Sequence, residues 1–508
     1  MVNYGKKRSG QVVSVSKEQP NSTGSAPGDA HSSRLDKLNA ISAMGIDPWG
    51  QRFDDHQSVE SILRKNCLSF DEHPTDKVRA AGRIVLRRTQ GKVHFLQLRD
   101  MTGTIQIMIG QKQVGETGWQ LAQQFDFGDL VGIDGIFGKT RMGEPTIRAE
   151  KITFLSKSLE PHPEKFHGMH DEEYRLRHRY LDLVYTPETL TRTKQRVIIV
   201  RAIREYLDSH AFMEVETPTL HSIAGGAAAK PFLSHHNALD MDLFLRIALE
   251  LHLKRLLIGG LERVYEIGRV FRNEGISRKH NPEFTMLELY QAYGDYRSMM
   301  DLTEGIILAC IKALGGDLIR HWGDKTIDFN PPWPRVTYGE LFQEHVGVPM
   351  DDPGKVYDAA QARHIVTQGK EHDVIVNDLF ERCVEDKLIG PLFVYDYPAA
   401  LCPLTKRKKD HPAIAERFEF YVHGMELANA YTELNDPITQ EETFRRQLAG
   451  LPEEDSMAKM DDDFIQAQRH GMPPAGGLGI GIDRLVMLLT NTGTIRDVIL
   501  FPLLRPEQ

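Results

Sequence analysis

Two stretches of sequence decide the fold: RVFRNEG at residues 269–275 and NPEFTMLELY at residues 281–290. Apolar and polar residues alternate in both, and a short polar loop joins them, so they predict an antiparallel hairpin. A period of two places a ring, two acceptors and a phenol on one face of the returning strand, at Phe284, Met286, Glu288 and Tyr290. Such a face is more typical of a site than of a core. An arginine ending the outgoing strand can hold a phosphate while the ring stacks on a base.

A third stretch, GGLGIGIDRLVMLL at 476–489, has alternating glycines that let a backbone or a nucleotide approach closely. Arg484 then opens an apolar helix. The stretch lacks the spacing of a dinucleotide-binding fingerprint and the lysine of a P-loop.

Composition places these stretches in an ordinary globular protein. The 508 residues are 41% hydrophobic and 26% charged, and at about 100–200 residues per domain they predict two to four domains. With 62 Lys and Arg against 71 Asp and Glu, the formal net charge is −9. This disfavours a protein whose whole surface coats nucleic acid, but it allows a local basic footprint.

The cysteines and the apolar runs indicate a compartment. The four cysteines are far apart and form no CxxC pair, which predicts free thiols in a reducing cytoplasm and no zinc site. No apolar run approaches the roughly 18 residues of a membrane span. We therefore expect a cytoplasmic protein that does not associate with membranes.

The N-terminal third has three parts. Residues 1–33 are polar and rich in Ser, Gly, Asn and Pro, which predicts a disordered leader; a transit peptide is the alternative, disfavoured by Glu18 and Asp29. The helical spacing from Arg34 to Met44 predicts a short docking helix in a segment spanning 34–72. Short alternating runs broken by glycine over 78–155 predict a small β-barrel domain at 73–158.

The predicted barrel begins with a basic stripe. Between Lys77 and Arg99 lie seven basic residues and no acidic one, interleaved with His94 and Phe95. Single-stranded nucleic acid needs such charges for phosphates and rings for unstacked bases. A strand edge protected by charge gives the same pattern, and the spacing leaves both interpretations open.

For the rest of the chain, the sequence predicts a linker at 159–190 and a larger domain at 191–508, with a helical insertion at about 333–390. Helical spacing from Arg192 to Phe212 leads into FMEVETP at 212–218.

Taken together, the motifs carry a family resemblance. RNE at 272–274 with PEF at 282–284, and the run from Gly479 to Arg484, resemble motifs 2 and 3 of class II aminoacyl-tRNA synthetases, and FMEVETP resembles motif 1. GGAAAKPF at 225–232, NAYTELND at 429–436 and TIRDVILFP at 494–502 are similar to the lysyl-tRNA synthetase family of subclass IIb. The resemblance runs from about residue 34 to the end, and class I signatures are absent.

The resemblance implies an α+β multidomain protein: an N-terminal OB-fold barrel for the anticodon, and a class II catalytic domain with a central antiparallel β-sheet flanked by helices. It also implies a homodimer through motif 1. The implied reaction is ATP-dependent activation of L-lysine to lysyl-adenylate, then transfer to the 3′ end of tRNA(Lys). Charge develops on phosphoryl oxygens, so electrostatic clamps suffice without a covalent nucleophile.

By the same resemblance, five residues bind ATP. Arg272 would hold the α-phosphate and the substrate carboxylate, and Arg484 the γ-phosphate; these two are the implied catalytic residues. Glu274 would read the adenine amino group, Phe284 would stack on the ring, and His280 is a further phosphate ligand.

The metal expected is Mg²⁺, which takes carboxylate, phosphate and water oxygens. Glu419 and Glu426 match the family's metal-binding carboxylates. Simple alternation does not place them on one face with Asn429, so we expect a turn or bulge near His423 and Gly424.

The implied lysine pocket is acidic, because a buried ammonium needs a counter-charge. Glu250 would take the α-amino group. Around the ε-amino group the resemblance places Glu288, Tyr290 and Glu433, and the lysine-binding set is completed by Asn429 and Tyr431. An acidic pocket argues against aspartate or asparagine as the substrate.

On the barrel, the resemblance implies an anticodon-binding set. Phe95 would stack on a loop base, Gln106 and Glu144 would read base edges, and Arg88 would hold backbone or base.

Two residues depart from the family pattern. Its usual Ala-Pro-Glu-Leu reads ALEL at 248–251, so the approach to Glu250 is expected to be less rigid, and its usual Gly-Arg-Glu reads GME at 424–426, which removes that arginine's salt bridge.

Two other functions compete. A paralogue family that attaches a β-lysine-type residue to an elongation factor lacks the barrel and carries Ala where this chain has Gly479. A non-catalytic tRNA-binding descendant would have lost Arg272, Arg484 or the acidic pocket, and all are present.

Overall fold

The computed structural model describes residues 27–161, 170–223, 225–226, 229–449 and 461–506. The chain divides into two compact units, residues 1–168 and 169–508. The predicted leader up to residue 26, residues 162–169 of the predicted linker and residues 227–228 of the GGAAAKPF run lie outside the described residues. Within the described ranges, no helix combines the length and apolar character needed to cross a membrane.

The first unit is a closed barrel with helices around it. Its helices are α1 (Pro27–Ala43), α2 (Val59–Leu63) and α3 (Gln111–Gln123), and its strands are β1 (Lys77–Gln90), β2 (Val93–Arg99), β3 (Thr104–Gly110), β4 (Leu130–Lys139) and β5 (Pro145–Ser156). The strands close in the order β1-β2-β3-β5-β4, which confirms the predicted barrel. The first helix begins at Pro27, ahead of the Arg34 start expected from spacing.

Alternation builds the barrel interior. Every second residue of β3 points inward, and Ile105, Ile107 and Ile109 are almost completely buried. The inserted helix α3, which the sequence reasoning missed, adds Trp119, Leu121 and Ala122 to the same core.

The second unit contains thirteen further strands among its described residues: β6 (Met213–Glu214), β7 (Leu220–His221), β8 (Leu233–His236), β9 (Met241–Leu245), β10 (Arg263–Phe271), β11 (Glu283–Ala292), β12 (Ile319–Trp322), β13 (Lys325–Asp328), β14 (Arg335–Thr337), β15 (Leu392–Pro398), β16 (Ile414–Val422), β17 (Met425–Thr432) and β18 (Ala475–Gly481). The helices of this unit are α4 (Glu172–Arg177), α5 (Arg179–Tyr185), α6 (Pro187–Ser209), α7 (Glu250–Ile258), α8 (Tyr296–Ala313), α9 (Tyr338–Val346), α10 (Pro353–Ala362), α11 (His372–Cys383), α12 (Pro437–Ala449), α13 (Asp462–Arg469), α14 (Ile482–Leu489) and α15 (Ile495–Val498).

One eight-stranded sheet, in the order β14-β15-β16-β17-β18-β11-β10-β6, organises this unit. The pairs from β15 to β10 are antiparallel, and only the two edge pairs are parallel. Apolar residues of α6, α8 and α14 pack against it, among them Ile203, Ile306 and Leu485. The central antiparallel sheet flanked by helices is therefore confirmed.

The predicted hairpin is β10 and β11, with Phe271 opposite Glu283 and Glu266 opposite Glu288. The glycine-rich strand β18 lies between β11 and β17, so Gly477 faces Tyr290 on one side and Tyr431 on the other.

A turn and a bulge reset the alternation between β16 and β17. His423 and Gly424, both with positive φ (52° and 64°), form the turn. The register then shifts: Phe420 pairs with Ala428, but Tyr421 pairs with Glu426. One extra residue in β17 turns Glu426 to the face that also carries Asn429. The turn or bulge expected near His423 and Gly424 is confirmed.

Candidate active site

The residues with implied ATP contacts lie around one cavity of about 270 Å³ beside the β10–β11 hairpin. Its lining includes Arg272, Glu274, His280, Phe284 and Arg484. The Arg272 guanidinium carbon lies 5.3 Å from the centre of the Phe284 ring. The cavity therefore offers a stacking surface and cationic groups side by side, which suits a nucleotide phosphate chain and base.

Arg484 is held between two neighbours. Its Nη1 donates to the backbone oxygen of Glu426 at 2.9 Å, and its Nη2 lies 3.0 Å from Nε2 of His280. Burial and the nearby Arg484 lower the pKa of His280, so the neutral ring accepts the guanidinium hydrogen bond. His280 thus orients Arg484.

Asp483, which precedes Arg484 in the chain, anchors the start of α14, and the sequence reasoning missed it. Its buried carboxylate accepts from the Arg196 guanidinium at 2.6 Å and from the backbone N–H of Thr285 at 2.7 Å. These bonds tie the start of α14 to α6 and β11. An acidic residue opening an apolar helix was the signal available in the sequence.

The two implied metal ligands line a neighbouring cavity of about 460 Å³. Glu419 accepts hydrogen bonds from Arg417 and, at 3.0 Å, from the Tyr397 hydroxyl. Glu426 lies on the paired strand, with Oε2 3.5 Å from Nη1 of Arg484. Arg484 and Glu426 line both cavities, which places the two carboxylates next to the nucleotide-side residues.

The chemistry of this pair fits Mg²⁺. Burial, and then the nearby Glu419, raise the pKa of Glu426 to about 7, so the carboxylate lacks enough positive charge around it. Within the part of the chain that the structure describes, no cluster of three or more His, Cys, Asp or Glu could hold a metal. Two carboxylates plus substrate phosphates and water are what Mg²⁺ commonly takes.

The residues with implied lysine contacts form a second buried cluster. It brings together carboxylates from the start of α7, from β11 and from the residue after β17: Glu250, Glu288 and Glu433 are 5%, 6% and 0% exposed. Tyr431 donates to Glu250 at 2.9 Å, and the Tyr290 hydroxyl lies 3.4 Å from Glu288. Asn429 lies on β17 together with Tyr431, and its side-chain oxygen accepts a hydrogen bond from the Arg417 guanidinium at 3.1 Å.

The cluster also contains a lysine that the sequence reasoning missed. Lys254, one turn after Glu250 on α7, is fully buried and forms ion pairs with Glu250 at 2.5 Å and with Glu433. Its ammonium lies 5.6 Å from the ring centre of Tyr431. An i, i+4 pair of opposite charge was the signal in the sequence.

Burial dominates the electrostatics of this pocket. It raises the pKa of Glu433 to about 8 despite the opposing effect of Lys254, and raises the pKa of Glu288 to about 7, with a further contribution from Glu250. Three carboxylates share one ammonium, so the pocket has unbalanced negative charge when all are ionised.

The structure shows what surrounds Leu249 and Met425, the two residues that depart from the family pattern. Leu249 is buried and its backbone N–H donates to Glu288 at 3.2 Å; proline at this position would lack that donor. The departure expected to loosen the approach to Glu250 therefore adds a hydrogen bond to the pocket. Met425 is buried in the core, so position 425 supplies no salt bridge.

In the barrel, the strand pairing brings most of the anticodon set together. Arg88 is opposite Phe95, with its guanidinium carbon 5.3 Å from the ring centre. Its Nη2 donates to Gln106 at 2.8 Å, and Gln106 donates to Thr146 at 2.9 Å. Glu144 lies exposed in the loop before β5, two residues from Thr146.

Much of the basic stripe is bound within the barrel. Arg79 pairs with Asp134 at 2.9 Å, while Arg83 and Arg87 donate to backbone oxygens. His94, expected to interleave with Phe95 as a ring for bases, is instead 4% exposed and stacks on Trp119 inside the barrel. Alternation along β2 explains this correction, because adjacent residues point to opposite faces. Of these two rings, Phe95 is the one left at the surface.

Comparison with known proteins agrees with both units. Residues 171–505 match the family model of class II tRNA synthetases (D, K and N), and residues 78–155 match the OB-fold nucleic acid binding domain, which confirms the OB-fold expectation. Lysine–tRNA ligase of Moorella thermoacetica is 50% identical over 95% of this chain and 99% of its own length.

Two further relatives carry the same name. Lysine–tRNA ligase of Pelotomaculum thermopropionicum is 51% identical over 94% of both chains, and that of Bacillus thuringiensis is 46% identical over 94% of this chain and 97% of its own. Similarity of this level extends over nearly the whole chain, including the barrel and the catalytic unit. The chain belongs to the lysine–tRNA ligase family of class II tRNA synthetases.

Proposed function

We propose that this chain activates L-lysine with ATP and transfers the lysyl group to the 3′ end of tRNA(Lys). One observation carries the choice of amino acid: three buried carboxylates, those of Glu250, Glu288 and Glu433, lie together in the unit that holds the arginine-lined cavity. An amino acid with two ammonium groups meets its counter-charges there, whereas an acidic or amide side chain would face repulsion or unpaired charge.

In the first step, a carboxylate oxygen of lysine attacks the α-phosphorus of ATP, and the bond to the β-phosphate oxygen breaks to release pyrophosphate. Arg272 holds the α-phosphate and the lysine carboxylate, while Phe284 stacks on adenine and Glu274 reads its amino group. Arg484, oriented by His280, binds the γ-phosphate. The residues act by positioning and charge, because the chain supplies no covalent bond to the intermediate.

Glu419 and Glu426 hold Mg²⁺ in this proposal. When bound, the ion neutralises charge on the phosphate oxygens. Arg417 and the hydroxyl of Tyr397 both donate to Glu419 and fix the orientation of its carboxylate.

The barrel binds the anticodon in this proposal through Arg88, Phe95 and Glu144, and through Gln106, which is 3% exposed and hydrogen-bonded to Arg88. Stacking on Phe95 and hydrogen bonds from the polar side chains give affinity and base recognition. The barrel, matched along with the catalytic unit in the relatives, favours tRNA over a protein acceptor.

The proposed working unit is a homodimer formed through motif 1, at residues 212–218. Strand β6 of this motif is an edge strand of the sheet, and Met213 is exposed, so the segment offers backbone groups and apolar surface to a second copy. We further propose a cytoplasmic location, consistent with the four free cysteines.

ATP–pyrophosphate exchange measured with each of the twenty amino acids tests the choice of substrate. Exchange is expected with lysine. Exchange that is absent with lysine but present with another amino acid would refute the proposal.

A further inference from the structure

The lysine pocket contains a cationic side chain of the protein itself, Lys254, which has no role in the reaction proposed above. Lys254 lies between Glu250 and Glu433 with no exposed surface. It approaches two aromatic rings, at 5.9 Å from the centre of Tyr290 and 5.6 Å from that of Tyr431. Its burial and its partners make it part of the pocket wall.

The contact with Lys254 leaves the pocket unfilled. Both carboxylate oxygens of Glu433 are buried; Oε2 forms the ion pair with Lys254, whereas Oε1 has no hydrogen-bond partner among the residues described. A buried carboxylate oxygen without a hydrogen bond is costly, and an ion pair with a purely structural role would be expected to satisfy both oxygens. The unsatisfied oxygen indicates that a further donor belongs here.

Counting charges shows what that donor would have to be. Glu250, Glu288 and Glu433 against Lys254 leave two negative charges when every group is ionised. A lysine ligand whose carboxylate is held by Arg272 brings two ammonium groups into the pocket. The sum is then zero, whereas the empty pocket approaches neutrality only by taking up protons.

Resting on the proposed function, we infer that Lys254 is a positioning and specificity residue. It fixes Glu250 and Glu433 and sets the net charge of the ionised pocket at minus two, so that an amino acid with two ammonium groups enters with release of protons. The groups facing it come from every packed element: Glu250 on α7, Glu288 and Tyr290 on β11, and Tyr431 and Glu433 on or after β17.

The expected proton count follows from the raised values. At pH 7 a carboxyl with a pKa of about 8 is mostly protonated and one with a pKa of about 7 is half protonated. Both must ionise to bind ammonium groups, so the wild-type protein releases between about one and two protons per lysine bound. The sign is fixed: lysine affinity rises with pH through this range.

Removing the built-in cation changes the pH dependence of lysine binding. In Lys254→Met the carboxyl groups of Glu288 and Glu433 lose a nearby positive charge that lowers their pKa, so they hold their protons to higher pH in the empty pocket. Lysine affinity at pH 7 therefore falls roughly tenfold or more, and the pH range over which affinity rises moves upward. Lys254→Arg keeps the charge and should keep the wild-type proton count. Lys325→Met, which removes an exposed lysine of β13, is the matched control.

The experiment is calorimetric titration of the full chain with L-lysine at a series of pH values, and at pH 7 in both phosphate and Tris, whose ionisation enthalpies differ, so that the number of protons released can be extracted. A Lys254→Met protein whose lysine affinity rises over the same pH range as that of the wild type would overturn the inference, as would a wild-type protein that binds lysine and releases none. If Lys254→Met does not fold by circular dichroism, the wild-type and Lys254→Arg titrations still decide. A wild-type protein that fails to bind lysine would instead refute the proposed function.

Discussion

Gly477→Ala should separate lysine recognition from ATP recognition. Gly477 lies in β18, paired on one side with Tyr290 and on the other with Tyr431. A Cβ atom there would lie 1.9 Å from Oε1 of Glu433 and 2.6 Å from Cε1 of Tyr290. Because β18 is hydrogen-bonded along both edges, the strand cannot retreat, and the Glu433 carboxylate has to turn away.

The size of the effect follows from that displacement. Overpacking a close-packed site costs about 1–3 kcal/mol of folding stability. Loss of a hydrogen bond to a charged group costs about 1.5–3 kcal/mol, and each 1.4 kcal/mol is about tenfold in affinity. The KM for lysine should therefore rise between about tenfold and somewhat more than a hundredfold, with the KM for ATP nearly unchanged.

The assay is ATP–pyrophosphate exchange, first with lysine varied at saturating ATP and then with ATP varied at saturating lysine. Gly339→Ala is the control, because Gly339 lies on α9 outside both cavities and its Cβ would lie 3.5 Å from the flexible end of Met350; its KM for lysine should stay near wild type. A Gly477→Ala protein with a wild-type KM for lysine would refute the reasoning, and equal rises for both substrates would indicate general distortion.

Phe95→Ala should weaken tRNA charging while lysine-dependent exchange stays nearly intact, and equal loss in both assays would contradict the role given to the barrel. Leu249→Pro removes the N–H that Glu288 accepts, so the pKa of Glu288 should rise and the KM for lysine at pH 7 should increase roughly tenfold, whereas Leu249→Ala keeps the donor; identical pH profiles for the two variants would argue against this hydrogen bond. Glu426→Gln should raise the Mg²⁺ concentration needed for half-maximal exchange, and an unchanged magnesium titration would exclude Glu426 as a ligand; Glu344→Gln, an exposed change on α9, is its control.

Local periodicity predicted the parts of the fold that depend on neighbours in sequence. Alternation identified the β10–β11 hairpin and the barrel strands, and the failure of simple alternation between Glu426 and Asn429 correctly required a bulge. The resemblance supplied the central sheet, because a strand order such as β17-β18-β11 joins distant segments that no local pattern connects.

The sequence reasoning missed features that depend on packing between distant residues. Lys254 lies in an apolar helix, and its partner Glu433 is the residue after β17, far along the chain. His94 is adjacent to Phe95 yet points into the barrel, where α3 covers it with Trp119. The basic pattern of the sequence also does not show which charges form ion pairs within the barrel, as Arg79 does with Asp134.

Strand β17 fixes the distance between the nucleotide end and the amino acid end of the site. It carries Glu426 at the nucleotide end and Tyr431 at the amino acid end, and at ~3.4 Å per residue, less a little at the bulge, the two are roughly 15 Å apart. Adding or deleting one residue would change that length and turn every later side chain to the opposite face. The preference for amino acid length can therefore be altered by replacing side chains in the pocket, but not by insertions or deletions in the strand that joins the two ends.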